Sequence, residues 1–195
     1  MLIGFSIALP VGPIGLLCIR NSIAYGRNVG LLTGLGAASA DTVYGAIGGF
    51  GIVAVGQFLA ENNYYLELIG GIFLCYLGIK LIREKILDSK ENKVIKKGAQ
   101  AFISTFFLTL TNPLTIISFA AVYAGLGVGN EEASWWDPVV ISMGVFLGSL
   151  LWWFILSFAS AWFRHKMSDA ARKKLNIVSG TVLLLIGSFA IFHAR

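Results

Sequence analysis

The apolar residues of this chain come in long continuous runs separated by short polar stretches. They do not alternate one for one with polar residues, as the strands of a membrane barrel would. Six runs stand out: about Leu2 to Ile19, Gly30 to Phe58, Leu66 to Ile82, Ala99 to Leu126, Pro138 to Phe163 and Asn176 to Phe192. A helix needs roughly 20 residues to cross a bilayer core of about 30 Å, and the runs are of that order. The pattern predicts an all-α fold, a polytopic membrane bundle of six transmembrane helices.

Composition strengthens this reading. Apolar types make up 56% of the 195 residues and charged types only 13%, about half the charged fraction of a soluble domain. Too few polar side chains are present to cover a water-soluble surface. Six crossings with short loops use up the length, so a single membrane domain over residues 1–195 is expected. No basic segment precedes Leu2, so the first run is read as a span and not as a cleavable signal. Cys18 and Cys75 both sit in apolar runs and are read as small buried hydrophobes. Neither metal-ligand spacing nor a disulfide framework is evident.

Charge gives the spans a direction. Arg20 and Arg27 follow the first run, and Lys80, Arg83, Lys85, Lys90, Lys93, Lys96 and Lys97 end and follow the third. Arg164, Lys166, Arg172, Lys173 and Lys174 follow the fifth. These are fourteen of the fifteen basic residues, all but Arg195. The other two connections carry only acids: Glu61 and Glu67, then Glu131, Glu132 and Asp137. Basic loops stay cytoplasmic, so both termini are expected outside, in the periplasm of a Gram-negative cell. The basic runs are read as orientation signals in contact with anionic lipid. Nucleic acid is not an expected partner, because no folded domain presents them.

The two halves resemble each other. Leu66, Ile69, Gly71, Leu74, Leu77 and Gly78 fall opposite Leu175, Val178, Gly180, Leu183, Ile186 and Gly187 without a gap. Gly12-Pro13 falls opposite Asn112-Pro113, and Gly30 and Gly34 opposite Gly144 and Gly148. Three spans per copy is an odd number, so the second copy must enter from the opposite side. The expected architecture is two inverted three-helix repeats, at about residues 1–82 and 99–195, joined by a cytoplasmic basic loop at about 83–98. Such repeats characterise secondary transporters, whose sites lie near the midplane where the repeats meet.

The candidate chemistry lies at the helix breaks and at one acid. Pro10, Gly12 and Pro13 fall inside the first span, and Asn112 and Pro113 inside the fourth. Proline removes an amide donor and clashes with the preceding turn. The freed backbone groups are tolerated at membrane depth only in protein or along a wet cavity. Asp41 is the one acid well inside a span. It shares a stripe of small residues with Gly30, Gly34, Ala38, Gly45 and Gly49, which turns it into the bundle. Intramembrane acids mark ion or substrate pathways. Asp41 is suited to relay a proton or to hold a substrate ammonium; a purely structural hydrogen bond is the plainer alternative. Tyr44, one turn on, and Trp152 and Trp153, at the corresponding place in the second half, are candidates to shape a cavity for an apolar side chain, with ordinary packing favoured. No nucleophile–base pair, zinc spacing or phosphate-binding glycine loop is present. No enzyme, cofactor or resident metal is expected.

In order along the chain, Gly4 to Pro13, the Tyr25-Gly26-Arg27 turn, Gly34 to Asp41, Asn112-Pro113 and Gly148 to Trp152 resemble the motifs of the LysE-type amino-acid exporter family. The resemblance covers essentially the whole chain. It implies a six-helix protein of the bacterial cytoplasmic membrane that exports small solutes, chiefly amino acids, on a proton or ion gradient. It carries over to Pro10, Gly12, Pro13, Asp41, Asn112 and Pro113 as the elements of the pathway. The chain begins very close to its first motif, so a short first span is expected. Related exporters also carry metal ions. The leading expectation is therefore a proton-coupled exporter of amino acids or similar zwitterions. A divalent-metal exporter and a non-transporting membrane scaffold are the alternatives, and a homo-oligomer is compatible with all three.

Overall fold

The computed structural model describes residues 1–9, 12–49, 63–83, 91–112, 115–119, 137–164 and 168–193. Among these residues all regular structure is helical. The helices are α1 (Leu2–Ala8), α2 (Pro13–Tyr25), α3 (Arg27–Gly49), α4 (Asn63–Arg83), α5 (Glu91–Leu110), α6 (Asp137–Arg164) and α7 (Asp169–His193). A further helical stretch covers residues 115–119.

The burial pattern is that of a protein whose solvent is lipid. Many large apolar side chains are exposed, among them Ile72, Phe107, Phe154, Leu185 and Phe189. The interior instead holds Ser22, Thr33, Thr105, Thr109, Ser149, Ser157 and Ser179. Several of these hydroxyls serve themselves within one turn. Thr33, Thr105 and Thr109 donate to the carbonyls of Val29, Ala101 and Thr105. Such i−4 bonds let a polar residue sit between packed helices without a partner from another chain segment.

Among the described residues two helical segments are long and apolar enough to cross a membrane unbroken: Val139–Phe163 in α6 and Ala170–His193 in α7, with 25 and 24 residues. Helices α1 and α2 meet the same test when taken together, as a broken span or a re-entrant loop, bent by 83° between them. Helices α3, α4 and α5 have 23, 21 and 20 residues, the length of a crossing, with more small and polar side chains. Residues 50–58 of the expected second span and 120–126 of the fourth lie outside the described residues, as do Pro10 and Pro113.

The helix ends depart from the hydropathy limits in two places. Helix α2 runs on to Tyr25, past the expected end of the first span at Ile19. This carries Arg20, expected in a loop, into a helix, where it is 3% exposed. Helix α5 begins at Glu91, inside the expected basic loop. Hydropathy detects where a helix leaves the membrane, whereas Glu and Lys continue a helix readily in water. Helices α2 and α3 join at Gly26, whose φ of 97° is the one positive value among the described residues. That conformation suits a residue without Cβ.

The small residues decide the packing. Helix α3 lies between α5 and α6. Gly36 faces the carbonyl of Phe102 on α5, and Gly34 faces Trp153 on α6. Gly4 of α1 and Gly148 of α6 bring those two helices to backbone contact. The two halves are therefore interleaved: the first helices of each pack on the long second helix of the other. Helices α4 and α7 form their own close pair. A Cβ on Gly71 would come within 2.8 Å of the Gly187 carbonyl and of Ile191, and one on Gly180 within 2.6 Å of the Gly78 carbonyl and of Ile82. Gly78 sits likewise against Gly180 and Leu184, and Gly187 against Gly71 and Cys75. Each contact maps onto its counterpart when residue numbers shift by 109, the separation of Cys75 from Leu184. Both cysteines are free thiols, and Cys18 is fully buried.

Candidate functional site

Both proline breaks are built the same way where they are described. Helix α2 starts with Gly12 at its N-cap and Pro13 in its first turn, where a missing amide costs nothing. The carbonyl of Gly12 accepts the Leu16 amide at 3.0 Å. In the second half, α5 ends at Leu110, and the carbonyl of Asn112 accepts the amides of Thr115 at 3.0 Å and Ile116 at 3.2 Å. Each residue before the second helix thus offers its carbonyl to begin that helix. The Asn112 side chain adds a bond from Nδ2 to Thr115 Oγ1 at 3.1 Å.

These breaks meet at one cavity of about 90 Å³, the volume of roughly three waters. Gly12, Pro13, Asp41 and Asn112 all line it, so four of the seven expected site residues come together. Two others, Pro10 and Pro113, lie outside the described residues. Polar lining is completed by Thr109, Thr115 and Ser118, and an apolar wall by Ile7, Ile14 and Trp153. No lysine or arginine among the described residues lines it. No cysteine, histidine or glutamate lines it either, and no group of three metal-binding side chains occurs among the described residues.

Asp41 is 4% exposed and accepts a hydrogen bond at 2.5 Å from the Ser149 hydroxyl of α6. Ser149 in turn accepts the indole N–H of Trp153 at 3.0 Å. The chain Trp153–Ser149–Asp41 ties α6 to α3 behind the cavity. Gly34 makes room for Trp153, one reason the small stripe of α3 lies where it does.

Tyr44 is not in the lining. Its hydroxyl donates to the carbonyl of Leu110, the last residue of α5, and its ring stacks on Phe119 at 5.4 Å. It serves a carbonyl that the break leaves without an intrahelical amide. Trp152 is also elsewhere, edge-on to Phe5 at 5.6 Å. Trp153, for which the sequence leaves cavity lining open but favours ordinary packing, does both: it packs in the buried core and forms a wall of the cavity. Ser149, Thr109, Thr115 and Ser118 are not evident as site residues in the sequence, because hydroxyls recur throughout these helices. The one local signal is the four-residue spacing of Ser149 and Trp153, which Trp153 and Ser157 share.

A second polar centre lies further along α2. Arg20 donates from Nε to Asn176 at 2.9 Å, and from its terminal nitrogens to Asn21 at 3.0 Å and Tyr25 at 3.2 Å. Asn21 donates to Thr33 at 3.0 Å, and Lys97 reaches the Tyr25 hydroxyl at 3.3 Å. This network joins α2 to α3, α5 and α7.

A family model for LysE type translocators matches residues 5–193. The chain belongs to the LysE type translocator family. The family is one of membrane transporters and not of enzymes. A relative from Bacillus subtilis, YcgF, whose name provisionally describes an amino acid efflux protein, is 28% identical over 97% of this chain and 91% of its own. YahN of Escherichia coli, described as an uncharacterized membrane protein, is 25% identical over 89% of this chain and 77% of its own. MntP of Gloeothece citriformis, whose name provisionally describes a manganese efflux pump, is 30% identical over 59% of this chain and 53% of its own. No solved structure matches the chain.

Proposed function

We propose that this translocator exports amino acids or similar small zwitterions across the bacterial cytoplasmic membrane, coupled to the proton gradient. In this reading the chain crosses six times, as two inverted repeats with both termini outside. The observation that carries it is the single cavity at which both helix breaks and the one intramembrane acid meet. Asp41 supplies the group for a proton or a substrate ammonium. The start of α2 supplies amides and a positive dipole end for a substrate carboxylate. Asn112 and Thr115 add donors and acceptors on the facing side. The inverted-repeat part of the reading is supported by the glycine contacts of α4 and α7, which repeat at one constant offset.

The name of the Bacillus subtilis relative points the same way and covers nearly the whole chain. Manganese as cargo draws on a relative matched over 59% of this chain. Its chemistry calls for clustered oxygen ligands, and Asp41 is the one carboxylate among the described lining residues. Amino acids therefore lead. The volume of about 90 Å³ is small for most of them, so loading requires the breaks to move apart, as alternating access demands.

The test is transport in proteoliposomes with an imposed proton gradient, using a panel of labelled amino acids and, separately, Mn²⁺. Wild type should move one or more amino acids, and Asp41→Asn should reduce this to background while remaining folded in the membrane. Unchanged transport by Asp41→Asn would remove Asp41 from the pathway. Movement of Mn²⁺ but of no amino acid would replace the proposed cargo.

A further inference from the structure

Helix α4 packs along α7 and meets α5 at one end, where Gly70 lies against the carbonyl of Thr111. From there a wedge-shaped groove of about 680 Å³ runs between α4 and α5. Its walls are apolar: Ile69, Phe73 and Tyr76 on one side, Ile103 and Phe107 on the other. At its far end the groove runs into a smaller basic cavity of about 50 Å³, and the two share Leu77, Lys80, Gln100 and Ser104. The basic cavity is also lined by Arg20, Tyr25 and Lys97. Among the described residues its lining holds three cations and no carboxylate.

The dimensions select the occupant. From Ile69 to Lys80 a helix rises about 16 Å, close to half of a bilayer core of about 30 Å. The groove is thus the depth of one leaflet, apolar along its length and cationic at the end where that leaflet meets water. We infer that it is a binding site for a single anionic phospholipid, with an acyl chain between α4 and α5 and the phosphate at Lys80 and Lys97. An acyl chain suits the walls, which leave about half of Tyr76 and Phe107 exposed. A phosphate suits the basic end, where Lys80 lies over the Tyr76 ring at 5.8 Å and Lys97 over Tyr25 at 5.1 Å. These rings hold the Lys80 ammonium at the end shared by groove and basic cavity, and the Lys97 ammonium within that cavity, by cation–π attraction. The basic leaflet face is also where anionic lipids concentrate. The inference does not depend on which solute is carried.

The test is lipid retention. The full chain is purified in mild detergent from vesicles of phosphatidylethanolamine and phosphatidylglycerol, and the bound lipid is measured by native mass spectrometry. Wild type should keep one phosphatidylglycerol in preference to phosphatidylethanolamine. The double variant Lys80→Gln, Lys97→Gln should lose this preference by about 30-fold, the factor that two basic residues supply at a membrane surface. Lys80→Arg with Lys97→Arg keeps the charges and should keep the preference. Ser104→Trp fills the groove with both lysines present and should release the lipid. Lys173→Gln with Lys174→Gln, at the other basic segment, should change nothing. The inference is overturned if the first double variant retains phosphatidylglycerol as wild type does, or if the Lys173, Lys174 pair abolishes retention equally. It is also overturned if wild type is a dimer with the groove buried between copies.

Discussion

Ser149→Ala removes one oxygen and disturbs two partners, which makes its effect calculable. Asp41 loses its donor at 2.5 Å, and the buried Trp153 indole loses its acceptor at 3.0 Å. A hydrogen bond is worth about 1 kcal/mol net or somewhat more, and a buried donor left without a partner costs about 1–3 kcal/mol. Hydrogen bonds between membrane helices average near ~0.6 kcal/mol, because the unfolded chain in lipid finds other partners. The lower ends of these ranges therefore apply, and Ser149→Ala should destabilise by about 2 kcal/mol. Trp153→Phe keeps most of the ring and leaves the bond from Ser149 to Asp41 intact, so it should cost about 1 kcal/mol.

The double variant separates the two effects. With phenylalanine at 153 no indole N–H is left to be stranded, so the second substitution removes part of the harm done by the first. Ser149→Ala with Trp153→Phe should fall short of the sum of the single costs by about 1 kcal/mol. Reversible unfolding of the four proteins by dodecyl sulfate in mixed micelles gives the cycle directly. Additivity within about 0.5 kcal/mol would refute the bridge, showing that Ser149 does not join Trp153 to Asp41 in the membrane.

Two other perturbations address the frame around the site. Gly71→Ala and Gly180→Ala each push a Cβ onto a backbone carbonyl and an isoleucine of the facing helix. Each should cost about 1–3 kcal/mol, the two variants should lower the melting temperature in detergent to a similar extent, and an effect confined to one of them would contradict the matched packing of α4 and α7. Arg20→Lys cannot reproduce a guanidinium that reaches Asn176, Asn21 and Tyr25 from different nitrogens. It should lose about 1–3 kcal/mol, and wild-type melting of Arg20→Lys would show that the network adds nothing to stability.

The all-helical character and the helix breaks are legible in the sequence because each has a direct physical cause. Lipid demands continuous apolar runs, and a proline inside a run demands a break. Asp41 is legible as a candidate because a lone acid in a span has few reasons to exist. What stays hidden depends on distance across the bundle. Nothing in the spacing of Ser149 says that it reaches Asp41, since serines at 157 and 179 are equally buried and lie elsewhere. Tyr44 shows the opposite failure. Its position one turn from Asp41 suggests a shared lining, but the side chain leaves at a different angle and serves Leu110. Arg20 reads as a loop charge because hydropathy falls at Ile19, whereas the helix runs on and folds the guanidinium inward among amide and phenol oxygens.

The two breaks are alike in the carbonyl each offers to the next helix, and they differ in what remains around them. At the end of α5, Tyr44 takes the Leu110 carbonyl, and Thr115 and Ile116 take that of Asn112. The acceptors freed there are used within the protein. At the start of α2, proline removes one amide, and the amides of the next residues have no earlier carbonyl within the helix. Ile14, which carries one of them, lines the cavity directly beside Gly12, where an added Cβ would meet nothing within 4 Å. The cavity is therefore lined both by a helix start, the positive end of a helix dipole, and by the Asp41 carboxyl, held from behind by Ser149. A zwitterion carries the complementary pair, and a bare cation matches only one half. In the proposed reading, this pairing of a helix start with a carboxyl is what separates an amino-acid cargo from a metal ion.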